Sequence, residues 1–208
     1  MRLDRAGLPF IGGALLLAVV SGAVGSRLFA VSFVALAALF AFFFRDPDRS
    51  PPSDTSVVLA PADGRVMVAG PAGPSAAPPG SWQQISIFLS PLDVHVNRIP
   101  ASGRVTKVSY TRGRFLPAYR DDAASANERS EIWIDHDGQA IVARQIVGIL
   151  ARRVVCRVQT GADVRAGDRF GVMKFGSRMD VFVPQTAEIA VRVGQMVRGG
   201  ETVIAVLH

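Results

Sequence analysis

Hydrophobic and polar positions divide the chain into two unequal parts. Between residues 8 and 44 the only charge is Arg27, which separates an 18-residue apolar run (8–25) from one of 17 residues (28–44). Each run is near the lower limit for a helix that crosses a bilayer, which takes about 20 apolar residues. The pattern predicts two short spans or a re-entrant hairpin, so residues 1–44 are expected to form an N-terminal hydrophobic helical anchor. A secretory signal would share the basic start and the first apolar run. Here, however, a second apolar run stands where a polar mature sequence would begin.

Past residue 44 the periodicity changes. Residues 45–52, Arg-Asp-Pro-Asp-Arg-Ser-Pro-Pro, cannot continue a helix and read as a linker, leaving 53–208 as a separate domain. Short runs of β type follow at 56–59, 65–68, 84–89, 103–110, 131–135, 140–146, 152–159, 169–174, 180–184, 189–193 and 202–207, with Gly, Pro or Asp-Gly turns between most of them. Residues 71–80 read as a surface loop, and 118–127 as a loop or short helical turn. Val164-Arg-Ala-Gly-Asp-Arg-Phe170 and Val197-Arg-Gly-Gly-Glu-Thr-Val203 repeat one turn-then-strand form, with the fourth residue a Gly expected at positive φ. The predicted fold is mainly β (α+β), a sandwiched-hairpin, β-barrel-like catalytic domain behind the anchor.

Composition narrows the function. One cysteine, Cys156, excludes a disulfide framework and a multi-cysteine zinc site, and no metal is expected. The formal net charge of +6 would suit nucleic acid. Its Arg residues are scattered, without interleaved aromatics, so an anionic lipid surface is the simpler partner and no nucleic acid is expected. Arg2 and Arg5 before the apolar runs and Arg45 and Arg49 after them place both ends on the cytoplasmic side of an inner membrane.

Three segments carry candidate chemistry. His95 follows an apolar strand, where an imidazole is held rigidly; the plain alternative is a His satisfied by Asp93 or a backbone carbonyl. His136 reads as a solvated residue of a hairpin tip, and His208 as a frayed terminus. Asp63 lies in Pro61-Ala-Asp-Gly64, which by itself reads as a turn between two strands. Gly176-Ser177 is a plain turn or a site of autocatalytic chain breakage, in which a hydroxyl attacks the preceding carbonyl and Gly permits its approach. A biotinyl- or lipoyl-type carrier displaying Lys174 after Met173 is a rival reading of the same region.

Taken in order, the anchor, Pro61-Ala-Asp-Gly64, Phe88-Leu-Ser-Pro91 through His95, Asn127-Glu-Arg129, Gln145-Ile-Val-Gly148 with Ala151-Arg-Arg153, and Phe175-Gly-Ser177 make the whole chain resemble the short, membrane-anchored bacterial phosphatidylserine decarboxylases. The resemblance implies cleavage between Gly176 and Ser177 into a β chain (1–176) and an α chain (177–208), with Ser177 becoming a covalent pyruvoyl group. It further implies a Schiff base with phosphatidylserine, loss of CO2 and release of phosphatidylethanolamine. Asp63 and His95 are then the expected proton-transfer groups. Longer family members carry a second His where this chain has Arg98, which could instead meet the substrate carboxylate or phosphate. A homo-oligomer is plausible by analogy.

Overall fold

A computed structural model describes residues 2–73, 77–120, 122–149, 154–173 and 177–208. The chain forms two compact units, divided between Asp48 and Arg49.

In the first unit the short strands β1 (Arg2–Leu3) and β2 (Arg45–Asp46) pair, and two helices, α1 (Leu8–Ala23) and α2 (Arg27–Phe43), lie between them. Pro9 is tolerated in the first turn of α1, where its missing N–H has no partner to lose. Gly25, at φ 81°, makes the turn between the helices. Phe10 of α1 meets Phe40 at 5.5 Å and Phe44 at 5.6 Å between ring centroids. Leu16, Val19, Val24, Leu28, Phe29 and Val31 are nevertheless exposed. Residues 5–23 are long and apolar enough to cross a membrane, and 27–43 form a shorter apolar helix.

The second unit is built mainly of antiparallel β strands. Its strands are β3 (Val57–Leu59), β4 (Gly64–Pro71), β5 (Trp82–Leu89), β6 (Val96–Arg98), β7 (Gly103–Thr111), β8 (Arg129–His136), β9 (Gln139–Val147), β10 (Val154–Cys156), β11 (Asp163–Val164), β12 (Arg169–Met173), β13 (Ser177–Pro184), β14 (Glu188–Ile189), β15 (Met196–Val197) and β16 (Val203–Val206). One helical turn, α3 (Ala123–Ala126), precedes β8. The large, curled sheet has the order β11-β7-β8-β9-β13-β5-β4-β15, and two small sheets, β10-β12-β6 and β14-β16-β3, complete the domain. Ile85, Ile87, Ile132, Ile134, Met179 and Val181 of the large sheet share one buried core with Phe170, Val58 and Ile204 of the small ones. The mainly β fold behind an apolar helix is the one expected from the sequence.

Particular elements differ from expectation. Pro61–Gly64 is no hairpin turn, because β3 and β4, which it joins, lie in different sheets. The expected strand over 189–193 shrinks to Glu188–Ile189, and β6, β11 and β15 form from short stretches whose partners are remote in sequence. His136 is buried and its Nδ1–H donates to the Ser102 carbonyl at 2.6 Å, so it is not a solvated tip residue. The 152–159 strand is seen as Val154–Cys156, residues 152 and 153 lying outside the described part of the chain.

The C-terminal repeat has a matching N-terminal one. Pro61-Ala-Asp-Gly-Arg-Val66 opens β4, and Pro100-Ala-Ser-Gly-Arg-Val105 opens β7. β4 pairs with β15 as β7 pairs with β11, so each N-terminal copy docks on one C-terminal copy. Gly167 and Gly200 both have positive φ, 85° and 78°, as the repeat predicted. Gly64 and Gly103 share φ 152°, and a Cβ on either would collide with a carbonyl of the neighbouring strand, Phe88 or Asp135.

Candidate functional site

The row of the large sheet that contains Ser177 organises the site. Ser177 opens the central strand β13, opposite Val147 at the end of β9 and Leu89 at the end of β5. The Val147 N–H donates to the Glu128 carbonyl at 3.1 Å, which carries the row one strand further. On the other side, the register that pairs Arg65 with Phe88 brings Gly64 to Leu89. Asp63 is therefore one residue beyond the end of a row running Glu128, Val147, Ser177, Leu89, Gly64. Residues opposite one another in neighbouring strands share a face, and here it is the core face.

Along that face the interior turns from apolar to polar as it nears Ser177. Glu128, Ser130, Asn97, Gln145 and Ser177 are all buried, with Ser177 and Asn97 at 0% exposure. Gln145 Nε2 donates to Asn97 Oδ1 at 2.8 Å, linking the large sheet to β6. Four buried atoms in this cluster have no hydrogen-bond partner among the described residues: Ser177 Oγ, Glu128 Oε1, Asn97 Nδ2 and Gln145 Oε1. Native interiors seldom leave buried polar atoms unpaired, so a concentration of them marks a place built for chemistry or for a ligand.

His95 lies in the loop between β5 and β6. Ser90 and Asp93 close that loop, the Ser90 N–H donating to Asp93 Oδ2 at 2.8 Å and the Asp93 N–H to the Ser90 carbonyl at 2.9 Å. The imidazole is 1% exposed, and its Nδ1–H donates to the Asp93 carbonyl at 2.9 Å, the backbone alternative anticipated from sequence. This bond puts the ring lone pair on Nε2. The His95 carbonyl also accepts from the Met173 N–H at 3.2 Å. The connection from Met173 to Ser177 thus starts at His95 and ends in the Ser177 row, although Lys174, Phe175 and Gly176 lie outside the described residues.

Asp63 is held by other groups. Arg49 Nη2 donates to its two oxygens at 3.0 and 2.8 Å, and the Gly199 N–H donates to Oδ1 at 2.8 Å. Arg49 also bridges to Glu201 at 3.3 Å. Arg98 is 5% exposed; its N–H donates to the Pro61 carbonyl at 2.8 Å and its Nη1 to the Gly167 carbonyl at 3.0 Å, while its stem crosses Gly200.

Two groups were given no role from sequence, although Glu128 stands in the Asn127-Glu-Arg129 motif. Arg49 looked like a linker charge, and nothing local betrays its partner 14 residues on. Glu128 could have been found, because the alternation of buried positions through Ile134, Ile132 and Ser130 leads back to it. Its neighbours fix its surroundings. Asn127 Nδ2 donates to the Val147 and Leu116 carbonyls, both at 2.8 Å, and its Oδ1 accepts from the Leu116 N–H at 2.9 Å. Arg129 points to the other face, where burial, aided by the Arg144 charge and opposed by Glu131, lowers its pKa from the usual arginine value.

A β domain with a buried serine heading a central strand, among buried polar atoms unpaired within the described residues, frames a candidate site. Comparison with known proteins makes the class definite. Residues 36–205 match the family model of phosphatidylserine decarboxylase. Three similar proteins are each named a phosphatidylserine decarboxylase proenzyme. The one from Chlorobium limicola is 46% identical over 79% of this chain and 77% of its own length. That from Gluconobacter oxydans is 44% identical over 98% and 93%, and that from Wolbachia pipientis 38% over 100% and 92%. The chain belongs to the phosphatidylserine decarboxylase family and is a carboxy-lyase.

Proposed function

We propose that the protein is a proenzyme that breaks its own chain between Gly176 and Ser177 and then, with a pyruvoyl group derived from Ser177, converts phosphatidylserine to phosphatidylethanolamine and CO2. The observation that carries this reading is Ser177 itself, a fully buried serine whose Oγ has no partner among the described residues. An unpaired buried hydroxyl costs about 1–3 kcal/mol, which is reasonable where the hydroxyl is to be consumed. The site fits the group, since it is made from Ser177's own atoms and needs no separate set of ligands. Once formed, a pyruvoyl group supplies an electron sink for loss of CO2.

For the chain break, a base removes the Ser177 Oγ proton as Oγ attacks the carbonyl of residue 176, and the amide C–N bond breaks to leave an ester and a free α-amine. β-Elimination then releases the carboxyl end of the 1–176 chain, and hydrolysis of the dehydroalanine left on 177–208 gives the pyruvoyl group and ammonia. We assign that base to His95, whose Nδ1–H is committed to the Asp93 carbonyl. Its backbone contact with Met173 supports the assignment, since it anchors the near end of the segment to be cut. Asp63 is assigned the support of the imidazolium that results. Arg98, buried and bonded to Gly167, suits a brace between the two repeat turns better than a contact to substrate.

The apolar helices suit an anchor in the bilayer that holds the substrate. Arg2, Arg5 and Arg45 favour a cytoplasmic domain, and the net charge of +6 favours an anionic leaflet. Family membership supports this reading over a carrier displaying Lys174. Intact mass and denaturing gels of the wild type and Ser177→Ala test it. The expected result is a 32-residue fragment (177–208) without a free α-amine in the wild type only. A folded wild-type chain that stays whole would refute it.

A further inference from the structure

We infer that Glu128 receives the ammonium group of the substrate's serine headgroup, an assignment that rests on the decarboxylase reading above. Inward and outward positions alternate along β8: Ser130, Ile132, Ile134 and His136 are buried, while Arg129, Glu131, Trp133 and Asp135 are less so. Glu128 continues the inward series. Its backbone is held on both sides, the carbonyl by the Val147 N–H at 3.1 Å and the N–H by the Arg114 carbonyl at 3.0 Å.

The side chain so placed is 8% exposed, and Oε1 has no partner among the described residues. Two described cations of the same sheet bond elsewhere. Arg144 donates to Glu131 at 2.7 Å, and Arg129 donates to the Ser125 carbonyl at 2.8 Å. A carboxylate oxygen buried with no donor among the described residues is costly, and such groups sit where a ligand completes them.

Position identifies the ligand's chemistry. Glu128 and Ser177 are two strands apart in one row, about 10 Å between Cα atoms at the usual strand spacing. Val147 lies between them and is fully buried. An ammonium seated at Glu128 would be aimed along an apolar floor towards Ser177, and in so dry a place a matched charge pair is stronger than in water. The headgroup to be decarboxylated carries such an ammonium beside the carboxylate it loses. A quaternary headgroup has the charge but no N–H to donate.

Every protein sample is first treated with borohydride, because a pyruvoyl ketone would condense with the ethanolamine amine and mimic a preference. Dihexanoyl phosphatidylethanolamine then presents the ammonium and dihexanoyl phosphatidylcholine the quaternary group, so binding can be read without turnover or imine formation. In calorimetric titrations of the full-length protein in detergent, the wild type should prefer the ethanolamine lipid by about tenfold, or about 1.4 kcal/mol. Glu128→Gln should abolish the preference while binding the choline lipid like the wild type, and Glu128→Asp should restore part of it. A preference that survives Glu128→Gln overturns the inference. So does a Glu128→Gln chain that binds both lipids like the wild type but fails to cleave. A wild type that never cleaves or decarboxylates, yet shows the Glu128-dependent preference, would sink the decarboxylase reading and leave this site standing.

Discussion

The Asp63 carboxylate and the Ser102 hydroxyl do one job in two halves of the domain. Asp63 Oδ1 accepts from the Gly199 N–H at 2.8 Å, and Ser102 Oγ accepts from the Ala166 N–H at 3.0 Å. Each donor is the third residue of a Val-Arg-x-Gly turn. Since a serine suffices for that cap, the turn does not need the charge at position 63, which is instead spent on Arg49.

Asp63→Ser should therefore fold and keep the cap while slowing release of the 177–208 fragment. It also strips Arg49 of one of its two acid partners, and we expect a loss of about 1–3 kcal/mol in urea unfolding. Adding Arg49→Met should recover part of that stability without recovering cleavage. Cleavage at the wild-type rate in Asp63→Ser would remove Asp63 from the mechanism.

The two glycines of the repeat allow a paired comparison. Gly64→Ala and Gly103→Ala each drive a Cβ into a neighbouring carbonyl at φ 152°, and each should cost at least about 2 kcal/mol. Only Gly64 borders the row of Leu89 and Ser177. Gel-based cleavage rates should fall markedly for Gly64→Ala and little for Gly103→Ala.

Ser177→Ala should leave the uncut chain as stable as the wild-type precursor or slightly more so, by up to about 1 kcal/mol. It replaces a buried hydroxyl unpaired among the described residues with a methyl group. Thermal unfolding of Ser177→Ala beside an uncleaved His95→Gln chain would show it. A large loss in the alanine variant would mean that the hydroxyl has a structural partner.

Asn127→Ala removes three hydrogen bonds that tie Leu116 to Val147, leaving their polar groups buried and unmatched. We expect a loss of about 3 kcal/mol in urea unfolding. Limited proteolysis should open first between residues 112 and 120.

Local signals were legible where they were strong. The apolar runs of 8–25 and 28–44, the alternation in 131–135 and the turn glycines 167 and 200 each carry their own cause within a few residues. Asp63 illustrates what could not be read. Its Asp-Gly dipeptide looks like a hairpin turn, but its conformation is set by Phe88 on one side and Gly199 on the other. The strands β6, β11 and β15 are likewise too short to show a pattern and exist because of partners far along the chain. The kinship of 61–66 with 100–105 was in plain view, yet its meaning lies in which distant turn each copy caps.

The position of Ser177 at the head of β13 bears on the lifetime of the protein. β13 is bonded to β5 over eight residue pairs and to β9 over six, and the same stretch after residue 177 supplies β15 at one edge of the large sheet and β16 in the middle of a small one. A cut before Ser177 would leave this piece woven through the domain, with no way out short of unfolding. A molecule whose reactive end became damaged could not be repaired by exchanging that piece for a fresh one. The cell would have to destroy the whole protein and make it again from a single uncut chain.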